Sequence, residues 1–150
     1  MWFKKQPKED TKYPQRDISI KELQQAIQQF EQDLPSHIPL RVLINEDRSL
    51  DYSLLTPFLK AIPNQPYYMS KETYELFPEE EKHLAVALDQ VQRAVDQYIL
   101  QTNTLPVIDY DPYRKVNFFK LEQLDLIDQR PDIDFYITDL ENLITMEKPE

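Results

Sequence analysis

Four aspartates in the second half of the chain are the residues best suited by type to hold a metal ion. They form two Asp-x-Asp pairs, Asp109 with Asp111 and Asp132 with Asp134. Hard cations such as calcium take several oxygen ligands from one loop, but an EF-hand loop also needs a glycine and a terminal glutamate at fixed positions. Neither is present. Exposed loop carboxylates are therefore the simpler interpretation, and a divalent-metal-dependent enzyme using these aspartates is an alternative.

A second metal-like spacing occurs at Glu80 and His83. A Glu-x-x-His pair places two ligands on one helix face, as in di-iron carboxylate bundles, but those bundles need a second pair of the same kind. The other histidine, His37, lies in a Ser-His-Ile-Pro turn without such a partner. A solvated helix start is the favoured interpretation, and we expect no cofactor.

Two residue types are missing, and their absence excludes several chemistries. The chain contains 0 cysteines and 0 glycines. Without cysteine there is no thiol catalysis and no zinc-thiolate site. Without glycine there is no phosphate-binding loop, no dinucleotide fingerprint and no glycine-flanked nucleophile elbow. These absences argue against an enzyme, although they leave the question open.

Two aromatic pairs, Tyr67 with Tyr68 and Phe135 with Tyr136, offer a candidate interaction site. Adjacent residues of a strand point to opposite faces, so one ring of each pair could remain partly exposed to a partner. Nucleic-acid platforms interleave aromatic residues with lysine and arginine, whereas the neighbours here are mostly acidic or apolar. The pairs therefore favour a protein partner or a packed core.

The net charge of −10 is unevenly distributed, with +3 in residues 1–16 and −13 in the remainder. An acidic body repels phosphate backbones, which disfavours nucleic-acid binding through a basic groove. An acidic mimic of nucleic acid is a further alternative.

No apolar stretch approaches the roughly 20 residues of a membrane span, and no secretory signal is apparent, so we expect a cytoplasmic protein. The sequence indicates no oligomeric state.

Local signals predict two main helices. Ser19 and Glu22 form a capping box that begins the first helix, and Pro35 ends it. Pro78 followed by three glutamates predicts the start of a longer helix over residues 79–101.

Two strands are also predicted in the first half of the chain. An apolar run predicts a short strand at residues 40–44, and an aromatic run predicts another at residues 66–69. Ser70 is a suitable cap for a helical turn reaching Phe77.

Three blocks of sequence recur in the same order, which indicates an internal duplication. Each block alone is weak, because amphipathic helices resemble one another, but three collinear blocks of nearly constant spacing are far less expected by accident. The blocks are residues 23–30 with 91–98 and residues 67–70 with 135–138, both 68 residues apart, and residues 48–55 with 114–121, 66 residues apart.

The duplication leads to a prediction of the fold. We expect a polar, flexible or loosely docked arm at residues 1–16 and a single α+β domain over 17–150, made of two repeats at about 18–77 and 85–145. Each repeat would contain a helix, a short helix and an aromatic strand. Two such repeats could pair their strands into one small sheet with both amphipathic helices packed on it.

Motifs in residues 38–47 (IPLRVLINED), 68–74 (YMSKETY), 94–98 (AVDQY) and 105–111 (LPVIDYD) resemble a small, functionally uncharacterised family of Bacillus-like Firmicutes. The resemblance implies a cytoplasmic bacterial protein and supplies no catalytic residues. A looser likeness to the soluble heads of pilin-like proteins concerns architecture alone. Together with the motif-poor composition, these observations favour a non-enzymatic protein-interaction module.

Overall fold

The structure is a computed structural model that describes residues 13–149. The chain divides into two compact units, Met1–Ala85 and Val86–Glu150. Most of the predicted arm, residues 1–12, lies outside the described residues. No helix among residues 13–149 combines the length and the apolar character that crossing a bilayer requires.

The first unit is organised around one amphipathic helix. The helix α1 (Ile20–Asp33) begins where the capping box predicts, since the Ser19 hydroxyl accepts a hydrogen bond from the Glu22 N–H at 3.1 Å. Its buried stripe consists of Leu23, Ala26 and Ile27. This stripe packs in a hydrophobic core with residues from the rest of the unit, among them Leu43, Leu55, Leu59, Tyr67 and Met69.

Short elements complete the first unit. After β1 (Gln15–Arg16) and α1 come the helix α2 (Thr56–Leu59) and the strands β2 (Ile62–Pro63), β3 (Tyr67–Met69) and β4 (Leu76–Pro78), with 3₁₀ turns at Leu40–Leu43, Tyr52–Leu54 and Glu79–Glu81. The strand β1 pairs in parallel with β2, and β3 pairs antiparallel with β4. The last residues of the predicted arm are thus part of the fold.

The second unit has a similar order of elements. It contains most of α3 (Lys82–Thr102), then α4 (Phe118–Gln123), β5 (Tyr136–Ile137) and β6 (Ile144–Thr145). The strands β5 and β6 form an antiparallel pair. The buried residues Val91, Ala94 and Val95 lie 68 residues after the buried stripe of α1.

Backbone hydrogen bonds around the aromatic strands recur in both units at the spacing of the sequence blocks. The Met69 N–H donates to the Arg48 carbonyl at 2.9 Å, and the Ile137 N–H donates to the Arg114 carbonyl at 3.0 Å. Both arginines have positive φ, 74° and 58°. Two further backbone bonds correspond in the same way. The Leu50 N–H donates to the Tyr67 carbonyl, and the Val116 N–H donates to the Phe135 carbonyl. The Ser70 N–H donates to the Glu75 carbonyl, and the Thr138 N–H donates to the Leu143 carbonyl.

Two local predictions in the first unit differ from the structure, one entirely and one in its extent. The segment predicted as a strand at 40–44 forms the 3₁₀ turn Leu40–Leu43, because Leu40 and Leu43, three residues apart, face inward while the residues between them are exposed. The turn predicted after Ser70 is present but ends earlier than expected. The Ser70 hydroxyl accepts hydrogen bonds from the Glu72 and Thr73 N–H groups at 3.2 and 2.9 Å, and the Tyr74 N–H donates to the Ser70 carbonyl at 3.0 Å. Tyr74, with φ 63°, ends the turn, and Phe77 lies in β4.

The α+β fold class is confirmed, because helices and small sheets make up the structure. The predicted single sheet is not observed. Three separate two-stranded sheets are present instead among the described residues, because each strand of only two or three residues finds its partner within its own unit.

Candidate functional site

The four aromatic residues proposed as an interaction site lie in the core. Tyr67, Tyr68, Phe135 and Tyr136 are 6%, 9%, 0% and 7% exposed. The expectation that one ring of each pair would be exposed is wrong, because the residues around these short strands cover both of their faces. A surface for a partner must therefore come from other residues.

The four aspartates proposed for a metal are not gathered into one site. Asp109 pairs with Lys120 at 3.1 Å and Asp134 pairs with Lys115 at 3.3 Å. Asp111 accepts a hydrogen bond from the Lys115 N–H at 2.7 Å, and Asp132 is exposed. Within residues 13–149, no group of three or more histidine, aspartate or glutamate side chains is positioned to hold a metal.

Glu80 and His83 are both exposed. Glu80 lies in the 3₁₀ turn before α3, and His83 lies in the first turn of α3. His37 is exposed in the turn that follows α1. The solvated helix start is thus the description that fits Glu80 and His83.

A groove of about 650 Å³ lies in the second unit between α3 and the segment that follows α4. We call it the unit-2 groove. One face of α3 supplies Ala94 and the exposed side chains of Arg93 and Gln97. The facing segment supplies the half-buried Leu126 and Ile127. The remaining lining residues are polar and exposed: Gln90, Asp128 and Gln129.

The first unit has a corresponding groove at the same sequence spacing. It lies between α1 and α2 and is lined in part by Ala26, Gln29, Phe58 and Leu59. These residues precede Ala94, Gln97, Leu126 and Ile127 by 68 positions. The volume is only about 160 Å³, so corresponding surfaces differ in size between the two units.

The helices α1 and α3 also differ at a second pair of corresponding residues, Gln24 and Gln92. In the second unit, the buried Gln92 accepts a hydrogen bond from the Ile144 N–H at 2.9 Å and donates to the Asn142 carbonyl at 3.1 Å. Its counterpart in the first unit, Gln24, is exposed and lines a cavity of about 560 Å³. Gln92 therefore ties α3 to the β5–β6 hairpin, whereas Gln24 does not hold its hairpin in that way.

A charged pair borders the unit-2 groove. Arg130 follows the lining residue Gln129 and makes two hydrogen bonds to the Glu122 carboxylate, at 2.9 and 2.8 Å. These side-chain bonds lower the pKa of Glu122 and raise the pKa of Arg130 relative to their ordinary values. Both groups are charged near neutral pH, and the bidentate geometry fixes the orientation of the two side chains relative to each other.

The side chains of the unit-2 groove suit binding better than bond-breaking chemistry. Apart from Arg93 and Asp128, its polar groups are glutamine amides, which donate and accept hydrogen bonds but do not titrate. Leu126 and Ile127 form a half-buried apolar floor, and exposed polar side chains surround it. The sequence blocks include Arg93, Ala94 and Gln97 but not the facing residues 126–129. The signal that could have found them is the Phe58-Leu59 pair, which recurs as Leu126-Ile127 at the same spacing of 68 residues.

Comparison with known proteins gives one match. A family model described as a protein of unknown function, DUF3939, matches residues 13–146. The chain belongs to the DUF3939 family. The DUF3939 match extends over most of both units and includes every residue of the unit-2 groove. No curated protein and no solved structure matches the chain.

Proposed function

We propose that this DUF3939 protein is a duplicated, non-enzymatic protein-interaction module that binds a partner protein in the unit-2 groove. The observation that carries the proposal is the unequal size of the two corresponding grooves, about 160 Å³ in the first unit and about 650 Å³ in the second. A surface that differs between two copies of one module is where a function specific to one copy would lie.

Support for the duplication comes from residues far apart in sequence. The buried positions of α1 and α3 correspond, and so do three backbone hydrogen bonds around the aromatic strands. Hydrogen-bonding side chains also correspond before the short helices. Asp51 accepts from the Ser53 N–H at 3.1 Å, and Asn117 accepts from the Phe119 N–H at 3.0 Å.

The lining of the unit-2 groove supports a protein as the ligand. Leu126 and Ile127 offer apolar area, while exposed amides and one charge of each sign surround them. Binding would bury the apolar floor and leave the rim partly hydrated, as in most protein interfaces. The same lining offers no pair of titratable groups poised for acid-base catalysis.

Site-specific photocrosslinking in the native host cells, followed by a binding measurement, tests the proposal. A photoreactive residue is placed at Gln97 in the unit-2 groove and, as a matched control, at Gln29, the exposed glutamine 68 residues earlier. The protein crosslinked from position 97 is then purified. Its affinity is measured by calorimetry for the wild-type chain, for Gln97→Trp and for Gln29→Trp.

We expect a discrete crosslinked protein from position 97 and none from position 29. Gln97→Trp fills the groove and should weaken the affinity by about tenfold or more, equivalent to about 1.4 kcal/mol, while Gln29→Trp should bind as the wild type does. Equal crosslinking from both positions, or unchanged binding by Gln97→Trp, would contradict the proposal. Thermal unfolding of both variants checks that they remain folded.

We also propose two properties that the sequence predicts. They are the cytoplasmic location and the origin in Bacillus-like Firmicutes. Fractionation of host cells with an antibody against the chain would test the location, and recovery of the protein in the membrane or secreted fraction would contradict it.

A further inference from the structure

A short strand from the start of the described chain occupies one edge of the first unit. The Ile62 N–H donates to the Pro14 carbonyl at 2.8 Å, and the Asn64 N–H donates to the Arg16 carbonyl at 3.0 Å. Pro63, between these two donors, has no N–H of its own. The edge thus offers two N–H groups to an extended segment, and residues 14–16 accept both.

The second unit carries a matching backbone segment. Arg130, Pro131 and Asp132 follow Ile62, Pro63 and Asn64 by 68 residues. In each unit the proline is flanked by two residues with N–H groups, and a two-residue bend follows, at 64–65 and at 132–133. Residues 130–132, which we call the unit-2 edge, therefore offer the same two donors.

No residue within 13–149 accepts a hydrogen bond from the Arg130 or Asp132 N–H. The reason lies in the sequence. The positions that correspond to residues 14–16 are 82–84, and they form the first turn of α3. A helical turn bonds its own backbone groups and cannot serve as a strand. The longer second helix thus leaves its unit without a counterpart of β1.

The charge around the unit-2 edge selects the kind of segment that could bind. The second unit carries 6 basic and 13 acidic residues. Asp125, Asp128 and Asp132 are exposed and form no ion pair with a described residue. Arg130, the nearby cation, is already paired with Glu122 at 2.8 Å. A basic segment would meet complementary charge here, and an acidic segment would be repelled.

We propose that a basic, extended segment of a partner protein adds to the unit-2 edge as a parallel strand. Its carbonyl groups would accept hydrogen bonds from the N–H groups of Arg130 and Asp132, as residues 14–16 do in the first unit. Strand addition of this kind obtains affinity from main-chain bonds and specificity from neighbouring pockets. The proposal rests on the proposed function, because the unit-2 groove ends at Gln129, immediately before this edge.

Nuclear magnetic resonance with a defined peptide tests the proposal. The probe is the capped peptide KYPQR, which copies residues 12–16 of this chain and carries two positive charges. The matched control peptide is EYPQE, in which both cations are replaced by glutamate. Each peptide is titrated into the ¹⁵N-labelled full chain while the amide signals of Arg130 and Asp132 are followed.

Two variants separate the backbone contribution from the charge contribution. Asp132→Ala removes the carboxylate and keeps the N–H, whereas Asp132→Pro removes both. We expect KYPQR to shift both amides in a saturable manner, EYPQE to bind at least several-fold more weakly, and Asp132→Pro to bind several-fold more weakly than Asp132→Ala. Thermal unfolding verifies that both variants fold, and the wild-type titration stands without them.

Several outcomes would overturn the proposal. They are the absence of saturable shifts at Arg130 and Asp132, equal binding of the two peptides, and equal binding by the two variants. Shifts of these amides that depend on protein concentration without peptide would also overturn it, because a second copy would then be the occupant. If the crosslinked partner binds the unit-2 groove while KYPQR leaves the edge signals unchanged, strand addition fails and the proposed function stands.

Discussion

Gln92 is a buried residue whose side-chain amide oxygen and nitrogen both form hydrogen bonds. Its amide oxygen accepts from the Ile144 N–H, and its nitrogen donates to the Asn142 carbonyl and to the Asp96 carboxylate. Glutamine recurs in both sequence blocks, at Gln24 and Gln92, but only Gln92 is buried. The same residue type therefore has a structural role in one unit and lies on the surface of the other.

Replacement of Gln92 by alanine should destabilise the protein. The Ile144 N–H would lose its acceptor in a buried position, which costs about 1–3 kcal/mol. The matched control is Gln24→Ala, an exposed position where a change within about 0.5 kcal/mol is expected. Urea unfolding of both variants measures the difference, and equal free energies of unfolding would contradict this account of Gln92.

Tyr52 connects two segments of the first unit through its hydroxyl group. The hydroxyl donates to the Gln65 carbonyl at 2.7 Å and accepts from the Tyr67 N–H at 2.9 Å. Burial is the main reason that the pKa of Tyr52 rises from 10.0 to about 12. The folded state thus favours the neutral phenol.

The raised pKa of Tyr52 predicts a dependence of stability on alkaline pH. Because the pKa is higher in the folded chain, this contribution is fully present below pH 10 and is lost as the pH rises from 10.0 to about 12. Tyr52→Phe should be less stable than wild type at pH 8, and the difference should narrow across that window. Chemical unfolding at a series of pH values measures it. A gap that stays constant would show that Tyr52 ionisation does not contribute.

The aromatic pairs show what residue type could and could not predict. β-Propensity correctly placed Tyr67 and Tyr68 in a strand. It could not predict their exposure, because in a three-residue strand the burial of each face depends on segments distant in sequence. The helix α1 and the 3₁₀ turn Leu40–Leu43 supply part of the core in which Tyr67 packs. The solvent exposure of a side chain depends on tertiary packing, so the alternation of side chains along the strand could not predict it.

At the scale of elements, the helix α4 and the 3₁₀ turn Tyr52–Leu54 each begin after a side chain that accepts a backbone hydrogen bond. Asn117 caps α4 through the Phe119 N–H, and Asp51 caps Tyr52–Leu54 through the Ser53 N–H. Helical elements this short have little intrinsic stability, so in these two the cap is a large part of what fixes where they begin.

The cap of α4 can be tested by exchange with its counterpart in the first unit. Asn117→Ala should destabilise the protein by about 1 kcal/mol, because the Phe119 N–H loses its acceptor. Asn117→Asp introduces the residue type found at Asp51 and should retain most of the stability. Thermal unfolding compares the two variants. An alanine variant as stable as the aspartate variant would contradict a stabilising role for the Asn117 cap.

Elements with strong local signals were predictable, and elements fixed by context were not. The capping box located the start of α1, and the acidic turn after Pro78 located α3 within a few residues. The apolar content of the segment 40–44 predicts a strand, but the period of its apolar positions does not. Its inward positions are three residues apart, as in a 3₁₀ turn, and Pro39 precedes it at the N-cap position.

At the scale of the whole molecule, most of the net negative charge lies in the second unit, which carries a net charge of −7. An acidic surface attracts a basic partner, and salt screens this electrostatic attraction. We therefore expect the partner identified by crosslinking to bind more weakly at about 0.5 M than at about 0.05 M sodium chloride, where the screening length is about threefold longer. Affinity independent of salt would argue against a basic partner.

The candidate site itself was only partly predictable. The sequence blocks predict a duplicated unit, but the proposed site depends on a difference between the two units, and similarity does not reveal a difference. The unit-2 edge lacks a strand because α3 begins earlier, relative to its block, than α1 does. That consequence requires knowing that residues 14–16 pair with the edge of the first unit.

The central claim is that two corresponding edges differ in occupancy, and amide hydrogen exchange of the protein alone tests it most directly. The account predicts protection of the Ile62 and Asn64 amides, with exchange slowed by about a hundredfold or more relative to an unstructured peptide. It predicts exchange near the unstructured rate for the Arg130 and Asp132 amides. Equal protection of the two pairs would contradict the claim, because the unit-2 edge would then be occupied already.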